Sequence, residues 1–151
     1  MNKKLLSYIK QHDLAVNYHT YTTAVDNSQE AAKQAGTNIS NIIKTILFKD
    51  EHQRLYATIL PGKCSVNRKP IKQTYSIKDL TLLSRSEVLQ RTGYPAGGVP
   101  PFGFEATFLL DKSLELKKDV YAGGGDIHTL IYVSTQEIIR ANNPHRMNLT
   151  K

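Results

Sequence analysis

A single lysine, Lys44, interrupts a run of β-branched and apolar residues, Ile42–Phe48, that predicts a β-strand. On the two-residue period of a strand, Lys44 shares a face with Ile46 and Phe48, which is the face expected to be buried. A buried ammonium group is costly unless it is paired or opens into a pocket, so Lys44 is a candidate site residue. The alternative is a lysine of an edge strand, whose stem packs while its head reaches solvent.

The segment from Gly93 to Gly103, called here the Gly/Pro loop, holds four of the nine glycines and three of the six prolines. It is either a rigid surface loop or a place where backbone N–H groups approach a ligand oxygen and stabilise an oxyanion. No Gly-Lys-Ser or Gly-Lys-Thr follows it, which excludes a Walker A loop. The run Gly123-Gly124-Gly125 admits the same two interpretations.

Other patterns of catalytic residues are absent. The five histidines are scattered, with no cysteine or acidic partner at zinc spacing, so neither a metal site nor a cofactor is expected. The chain also lacks the Gly-x-Ser-x-Gly pattern of a nucleophile elbow. The single cysteine, Cys64, is either a nucleophile or, with no assigned histidine partner, a structural residue.

Twenty lysine and arginine residues against thirteen acidic ones give a net charge of +7. Between Arg54 and Arg91 there are eight basic and two acidic residues, so much of the excess is local. Such a surface attracts polyanions, most commonly a nucleic acid, although a solvated basic surface without a partner is the alternative.

Helices and strands that position these residues follow from periodicity, capping residues and turns. Ser28 is the expected N-cap of a helix that ends at Gly36, and Ser84 and Ser134 each begin a capping box. Pro70 is expected to break a helical turn within 66–72. The predicted helices span 2–11, 28–35, 84–91 and a stretch from 134 onward. The predicted strands span 16–21, 42–48, 54–60, 80–83, 106–110, 119–122 and 129–133, with 42–48 and 54–60 forming a hairpin.

A length of 151 residues with 40% hydrophobic and 22% charged residues is typical of one globular domain. The strands do not alternate strictly with helices, which predicts an α+β fold with six or seven strands and four or five short helices. No apolar run is long enough to span a membrane. The first eight residues lack the apolar core of a signal peptide, so a cytoplasmic protein is expected.

Four motifs occur in order along the chain. They are residues 43–47, Leu60-Pro61-Gly62, the Gly/Pro loop with the sequence GYPAGGVPPFG, and Gly123-Gly124-Gly125. Together they resemble the YbaK/prolyl-tRNA synthetase-associated domain family over about Asn17 to Ala141. The resemblance implies a single domain over 1–151 whose mixed sheet curls towards a barrel, with helices around it.

The resemblance also implies trans-editing, which is hydrolysis of the ester that joins a wrong amino acid to the 3′ end of a tRNA. Editing is needed because synthetase pockets discriminate poorly between small side chains. In such proteins the lysine matching Lys44 lies near the terminal nucleotide and the ester, and the glycine loop binds the carbonyl oxygen. A tRNA hydroxyl helps to activate the attacking water, and the chemistry needs no metal.

The resemblance assigns catalytic roles to Lys44, Gly97 and Gly98. It assigns substrate-binding roles to Thr45, Gly93, Val99, Pro100, Gly103, Gly124 and His128. If the chain binds tRNA, part of the basic excess should hold the acceptor end, and Arg68, Lys69 and Lys72 are the candidates. For His128 the alternative is an ordinary strand residue.

We therefore expect an aminoacyl-tRNA deacylase that acts on a mischarged tRNA, with tRNA(Pro) carrying alanine, cysteine or another small amino acid as the first candidate. Thr45 after the lysine resembles cysteine-removing members, whereas Val99-Pro100-Pro101 departs from their Ser-Pro pair, so the specificity stays open. An aminoacyl-tRNA synthetase is a second expected partner. The alternatives are a non-catalytic module that binds tRNA or a synthetase, and a hydrolase of small aminoacyl esters.

Overall fold

The computed structural model describes residues 1–151 as an α+β fold of five α-helices, two 3₁₀ helices and eight β-strands. The helices are α1 (Lys3–Gln11), α2 (Ser28–Ala35), α3 (Lys69–Tyr75), α4 (Arg85–Thr92) and α5 (Thr135–Asn142), and the 3₁₀ helices are Ile39–Asn41 and Lys112–Leu116. The strands are β1 (Val16–Thr20), β2 (Ile43–Lys49), β3 (Leu55–Pro61), β4 (Thr81–Leu82), β5 (Thr107–Asp111), β6 (Asp119–Gly123), β7 (Thr129–Ser134) and β8 (His145–Met147). The fold class is as predicted, and β8 is a strand that the sequence analysis missed.

The strands form two sheets. One is antiparallel with the order β1-β7-β6, and the other is mixed with the order β4-β2-β3-β5-β8. Strands β2 and β3 form the predicted antiparallel hairpin. A single parallel bridge between Ile42 and Tyr121 links the two sheets where β2 begins, and no closed barrel forms. The expected curling towards a barrel is therefore not confirmed.

The main hydrophobic core lies between the two sheets, where Leu47 of β2 and Ile131 of β7 belong to one cluster of buried side chains. The opposite face of β2 packs against α3, because Phe48 and Ile71 share a second cluster. Both faces of β2 are thus covered over most of its length. The alternation of side chains along the strand could not show that β2 is uncovered at Lys44.

The helix boundaries depend on capping residues, and the structure corrects two of the predicted caps. Asn27, not Ser28, caps α2 by accepting the N–H of Glu30 at 2.8 Å. Ser134 caps α5, but the Glu137 carboxylate accepts the N–H of Ala15 at 2.7 Å and forms no capping box. Asparagine caps as well as serine does, and tertiary contacts compete for a glutamate.

The predicted capping box at Ser84 is confirmed, whereas the predicted break at Pro70 is wrong. The capping box of Ser84 and Glu87 is present at the start of α4, where it sets the position of Arg85. Pro70 does not break the turn that contains it, because it lies in the first turn of α3. Proline is tolerated there since those backbone nitrogens have no partner within the helix.

Most of the Gly/Pro loop is buried, including residues 98–103, whereas Gly93 and Gly97 are exposed, so its interpretation as a surface loop holds only for part of it. The side chains of Tyr94 and Phe102 are fully buried, and Val99 is only 7% exposed. The Tyr94 hydroxyl donates to the carbonyl oxygen of Gly103 at 3.0 Å and closes the loop on itself. Its shape is therefore set by core packing.

The Gly/Pro loop packs backbone against backbone on the second glycine run. The carbonyl oxygen of Gly98 accepts the N–H of Gly125 at 2.8 Å. A Cβ atom on Gly98 would lie 2.7 Å from the backbone of Asp126, and one on Gly123 would lie 2.5 Å from the carbonyl oxygen of Val99. The two glycine motifs are thus one structural unit in which close approach excludes side chains.

Replacement of Gly98 by alanine should force these two segments apart. We expect Gly98→Ala to lower the free energy of unfolding in urea by about 1–3 kcal/mol, the usual cost of overpacking. Gly36→Asn is the control, because a Cβ at Gly36 meets nothing within 4 Å and asparagine tolerates its positive φ of 67°. A wild-type unfolding midpoint for Gly98→Ala would contradict the packing described here.

Candidate active site

A cavity of about 600 Å³ opens where β2 and β6 separate after the bridge that joins the sheets. Strand β4 pairs with β2 only at Phe48 and Lys49, so the edge of β2 at Lys44 has no strand beside it. The cavity is lined by Ile42, by residues 43–46 of β2, by Ala122 and Gly123 of β6, by the start of α2 and by the Gly/Pro loop. Strand divergence therefore creates the site.

Lys44 lies in the wall of this cavity and is half-buried. Burial lowers the pKa of Lys44 below its ordinary value, and the nearby Cys64 thiol opposes that shift. No carboxylate lies within ion-pair distance of the ammonium group. A desolvated, unpaired lysine in a cavity is available to a ligand.

Three further charged residues line the cavity. They are Lys63 after β3, Arg85 at the start of α4 and Asp26 before α2. None of them takes part in an ion pair within the chain. The guanidinium of Arg85 lies 3.4 Å from the carbonyl oxygen of Ala96, which ties Arg85 to the Gly/Pro loop. The cavity thus contains three cations, counting Lys44, and one carboxylate.

Backbone N–H groups without a partner in the chain also belong to cavity-lining residues. In the Gly/Pro loop these are the N–H groups of Gly97 and Val99, whereas the N–H of Gly98 donates to Pro95 at 3.0 Å. At the start of α2 they are the N–H groups of Ser28 and Gln29. Unpaired amides at a loop and at a helix N-terminus bind oxyanions and phosphates.

The cavity brings together four of the residues predicted to form the site, namely Lys44, Thr45, Gly97 and Val99. Six others lie outside its lining: Gly93, Gly98, Pro100, Gly103, Gly124 and His128. Gly93 ends α4 in the left-handed conformation, and the N–H of Gly124 bonds to Thr129. His128 lies in the turn before β7, where its N–H donates to the Asp126 carboxylate at 2.9 Å.

Arg68, Lys69 and Lys72 line a separate cavity of about 450 Å³, called here the basic groove, together with Lys151. Arg68 is held in place because its guanidinium lies 4.9 Å from the ring of Phe48 and donates to the carbonyl oxygen of Leu80 at 2.9 Å. No carboxylate pairs with these four cations. The basic groove is therefore free to bind an anion.

No group of three or more histidine, cysteine, aspartate or glutamate side chains is arranged to hold a metal ion. None of the helices has the length and apolar character needed to cross a membrane.

Residues 22–141 match the family described as the aminoacyl-tRNA editing domain. The chain belongs to this editing-domain family. The resemblance based on the four motifs is thereby confirmed, and family membership supports a role in tRNA editing. The match includes the residues of β2, the Gly/Pro loop and the start of α2 that line the cavity.

Known sequences that are similar to this chain include one of comparable length and several much longer ones. The editing domain is 27% identical over 138 residues to the uncharacterized protein YwhH of Bacillus subtilis, covering 90% of this chain and 87% of that protein. It is 24% identical over 123 residues to the proline-tRNA ligase of Thermotoga maritima, covering 82% of this chain. The match spans only 20% of that ligase.

Solved structures share the fold along the whole chain. The structure of the hypothetical protein APE2540 has a TM-score of 0.91 and 29% identity, covering 99% of this chain and 100% of that chain. A candidate trans-editing enzyme for prolyl-tRNA synthetase has a TM-score of 0.89 at 20% identity, covering 100% and 99% of the two chains. The second likeness shows the fold alone.

Several charged residues of the cavity were missed by the sequence analysis. Lys63 and Arg85 were counted only as part of the basic excess, and Asp26 was not considered. The signal that could have found one part of the cavity is the predicted start of α2, because a helix N-terminus is a potential anion site. Lys63 and Arg85 gave no such signal, since only the tertiary fold brings them to Lys44.

The pKa of Lys44 can be measured directly. Lysine methyl groups introduced with ¹³C-formaldehyde should show, by NMR, one resonance that titrates below the ordinary lysine range and is missing in Lys44→Met. Because its folded pKa is below its unfolded pKa, the unfolded state binds more protons between the two values, so stability rises with pH in that window. Lys44→Met should lack this rise. An ordinary titration of Lys44 would contradict its placement in the cavity.

Proposed function

We propose that this editing domain hydrolyses the ester bond between an amino acid and the 3′ end of a mischarged tRNA. The observation that carries the proposal is the cavity itself, which is lined by the unpaired Lys44 and by Gly97 and Val99, two residues with free N–H groups. The cavity is large enough for a small-molecule group such as a terminal nucleoside with its amino acid. Membership of the editing-domain family supports the same reaction.

The reaction needs few protein groups. Water adds to the ester carbonyl carbon, and the N–H groups of Gly97 and Val99 bind the oxygen as it becomes negative. The bond from carbon to the 3′ oxygen then breaks, and that oxygen leaves with a proton as the free hydroxyl of the tRNA. Lys44 adds a positive charge beside the developing oxyanion, and a neighbouring tRNA hydroxyl orients the attacking water.

The remaining cations of the cavity suit the terminal phosphate of the RNA. Lys63 and Arg85 are unpaired, and the N–H groups of Ser28 and Gln29 at the start of α2 add a second binding element. A phosphate bound there would be held by charge and by the helix N-terminus together. This explains why three cations line a cavity that holds only one carboxylate.

The basic groove continues the RNA-binding surface in this proposal. Phe48, which the Arg68 guanidinium covers, lies on the same face of β2 as Lys44 and four residues further along the strand. That separation corresponds to roughly 13 Å along β2. Arg68, Lys69 and Lys72 would then contact phosphates of the acceptor end while the 3′ terminus occupies the cavity.

A tRNA(Pro) bearing alanine, cysteine or another small amino acid is the proposed substrate. The similarity to the proline-tRNA ligase of Thermotoga maritima supports tRNA(Pro) and a prolyl-tRNA synthetase as a partner. The apolar side chains of Ile42, Val99 and Leu130 in the cavity wall suit a small side chain.

Deacylation of purified mischarged tRNA tests the proposal. The protein should release amino acid from at least one of Ala-, Cys-, Ser-, Thr- or Pro-tRNA, and Lys44→Met should slow release by about 100-fold or more, the usual cost of removing one oxyanion-stabilising group. Lys44→Met keeps most of the side-chain stem and removes a charge that burial disfavours, so it should remain folded. Lys10→Met is the control, because Lys10 does not line the cavity.

Release at the wild-type rate by Lys44→Met would overturn the assignment of Lys44. RNA binding with no release from any aminoacyl-tRNA would favour the alternative, a non-catalytic module that binds tRNA or a synthetase. Release from free aminoacyl esters, without RNA affinity that depends on salt, would favour a hydrolase of small esters.

Neutralising the basic groove should weaken binding without changing the chemistry. The triple variant Arg68→Ala, Lys69→Ala, Lys72→Ala should bind uncharged tRNA more weakly, and the slope of log affinity against log salt should fall by about 2–3 because each phosphate contact releases roughly one counterion. A control triple variant at Lys3, Lys10 and Lys112, which line neither cavity, should retain the wild-type slope. An unchanged slope in the groove variant would show that its charge is only a solvated surface.

A further inference from the structure

Asp26 is the one carboxylate among the residues that line the main cavity. Its side chain is exposed and makes no ion pair with Lys44, Lys63 or Arg85. The proposed chemistry at the ester does not use it. A negative charge placed among cations and left unpaired is available to a cationic group of a ligand.

The backbone holds Asp26 in a defined position. The N–H of the preceding residue, Val25, donates to Ile127 at 2.7 Å, and the following residue, Asn27, caps α2. Asp26 also packs directly on Gly97, because a Cβ atom added to Gly97 would lie 2.8 Å from the Cβ of Asp26. The Asp26 side chain thus begins against Gly97, one of the two residues of the Gly/Pro loop whose N–H is free.

We propose that Asp26 binds the free α-ammonium group of the amino acid, so that the site acts on aminoacyl esters and rejects esters whose amine is acylated. This inference rests on the proposed function and names the class of substrate within it. It follows from the position of Asp26 beside Gly97, since the amine of an aminoacyl ester is only two bonds from the carbonyl carbon. A group that holds the carbonyl oxygen and one that holds the amine must therefore be neighbours.

Charge balance supports the same assignment. An α-ammonium group entering this cavity meets three cations, of which Lys44 is half-buried and Lys63 and Arg85 are exposed, and like charges repel one another. The Asp26 carboxylate offsets that repulsion for a free amine. It offers no such contact to an acylated amine, which carries no charge. Peptidyl- and formylaminoacyl-tRNAs, which translation requires intact, would be excluded for this reason.

The test uses a non-hydrolysable probe, so that binding is measured apart from hydrolysis. The probe is an RNA minihelix that ends in 3′-amino-3′-deoxyadenosine carrying alanine in amide linkage, prepared with a free or an N-acetylated amine. We expect the wild-type protein to bind the free-amine probe roughly 10- to 100-fold more tightly, as for a hydrogen bond between charged groups. Asp26→Asn should reduce this ratio to about twofold or less.

Two controls isolate the role of the carboxylate. Asp13→Asn removes a negative charge outside the cavity and should retain the wild-type ratio. Binding of the minihelix without an amino acid should not weaken in Asp26→Asn, because removal of a negative charge does not repel RNA.

An Asp26→Asn protein that keeps the wild-type preference for the free amine overturns the inference, and so does a wild-type protein that binds both probes equally. Failure of the proposed function would appear separately, as intact aminoacyl-tRNA despite tight binding of the free-amine probe.

Discussion

The candidate site depends on one contact, the packing of the Gly/Pro loop against the end of β6 without intervening side chains. Gly98 touches the backbone of Asp126, and the N–H of Gly125 bonds to the Gly98 carbonyl oxygen. This contact fixes the residues on either side of Gly98, Gly97 and Val99, which line the cavity and whose N–H groups have no partner in the chain. Glycine at these positions allows the two backbone segments to pack closely, and the proposed ligand binding depends on that packing.

The second constraint is the separation of the two sheets beyond the bridge at Ile42. A strand pairing along the whole of β2 would cover Lys44, whereas β4 covers only the far end and β6 diverges. The charges of the cavity are therefore held by a rigid framework but have no partners within it. Unpaired charges do not stabilise the fold, and the core between the sheets offsets their cost.

Much of this arrangement could be predicted from the sequence, because it depends on local signals. The apolar runs predicted the hairpin of β2 and β3, Ser84 and Glu87 predicted the start of α4, and the lysine at position 44 interrupted its strand visibly. The remaining parts depend on contacts between distant segments. The short strand β8 pairs with β5, and Glu137 bonds to Ala15 instead of completing a capping box.

The same limit applies to the site. Gly97, Val99 and Lys44 belong to motifs that could be recognised along the chain, whereas Asp26, Lys63 and Arg85 belong to none. These three residues meet Lys44 only because α2, the end of β3 and the start of α4 surround the same gap. Likewise, the N–H of Gly98 donates to the carbonyl oxygen of Pro95, whereas the N–H of Gly97 is free. Two adjacent glycines in a sequence do not show which of the two N–H groups is paired.

The central claim is that Gly97 and Val99 bind the carbonyl oxygen of an acylated 3′ end beside Lys44. A crystal structure of the protein with an RNA minihelix ending in an amide-linked aminoacyl group tests it most directly. The account predicts that the acyl carbonyl oxygen lies about 3 Å from both backbone nitrogens, with the terminal nucleotide in the cavity. An acyl group bound outside the cavity, or a carbonyl oxygen turned away from both amides, would contradict it.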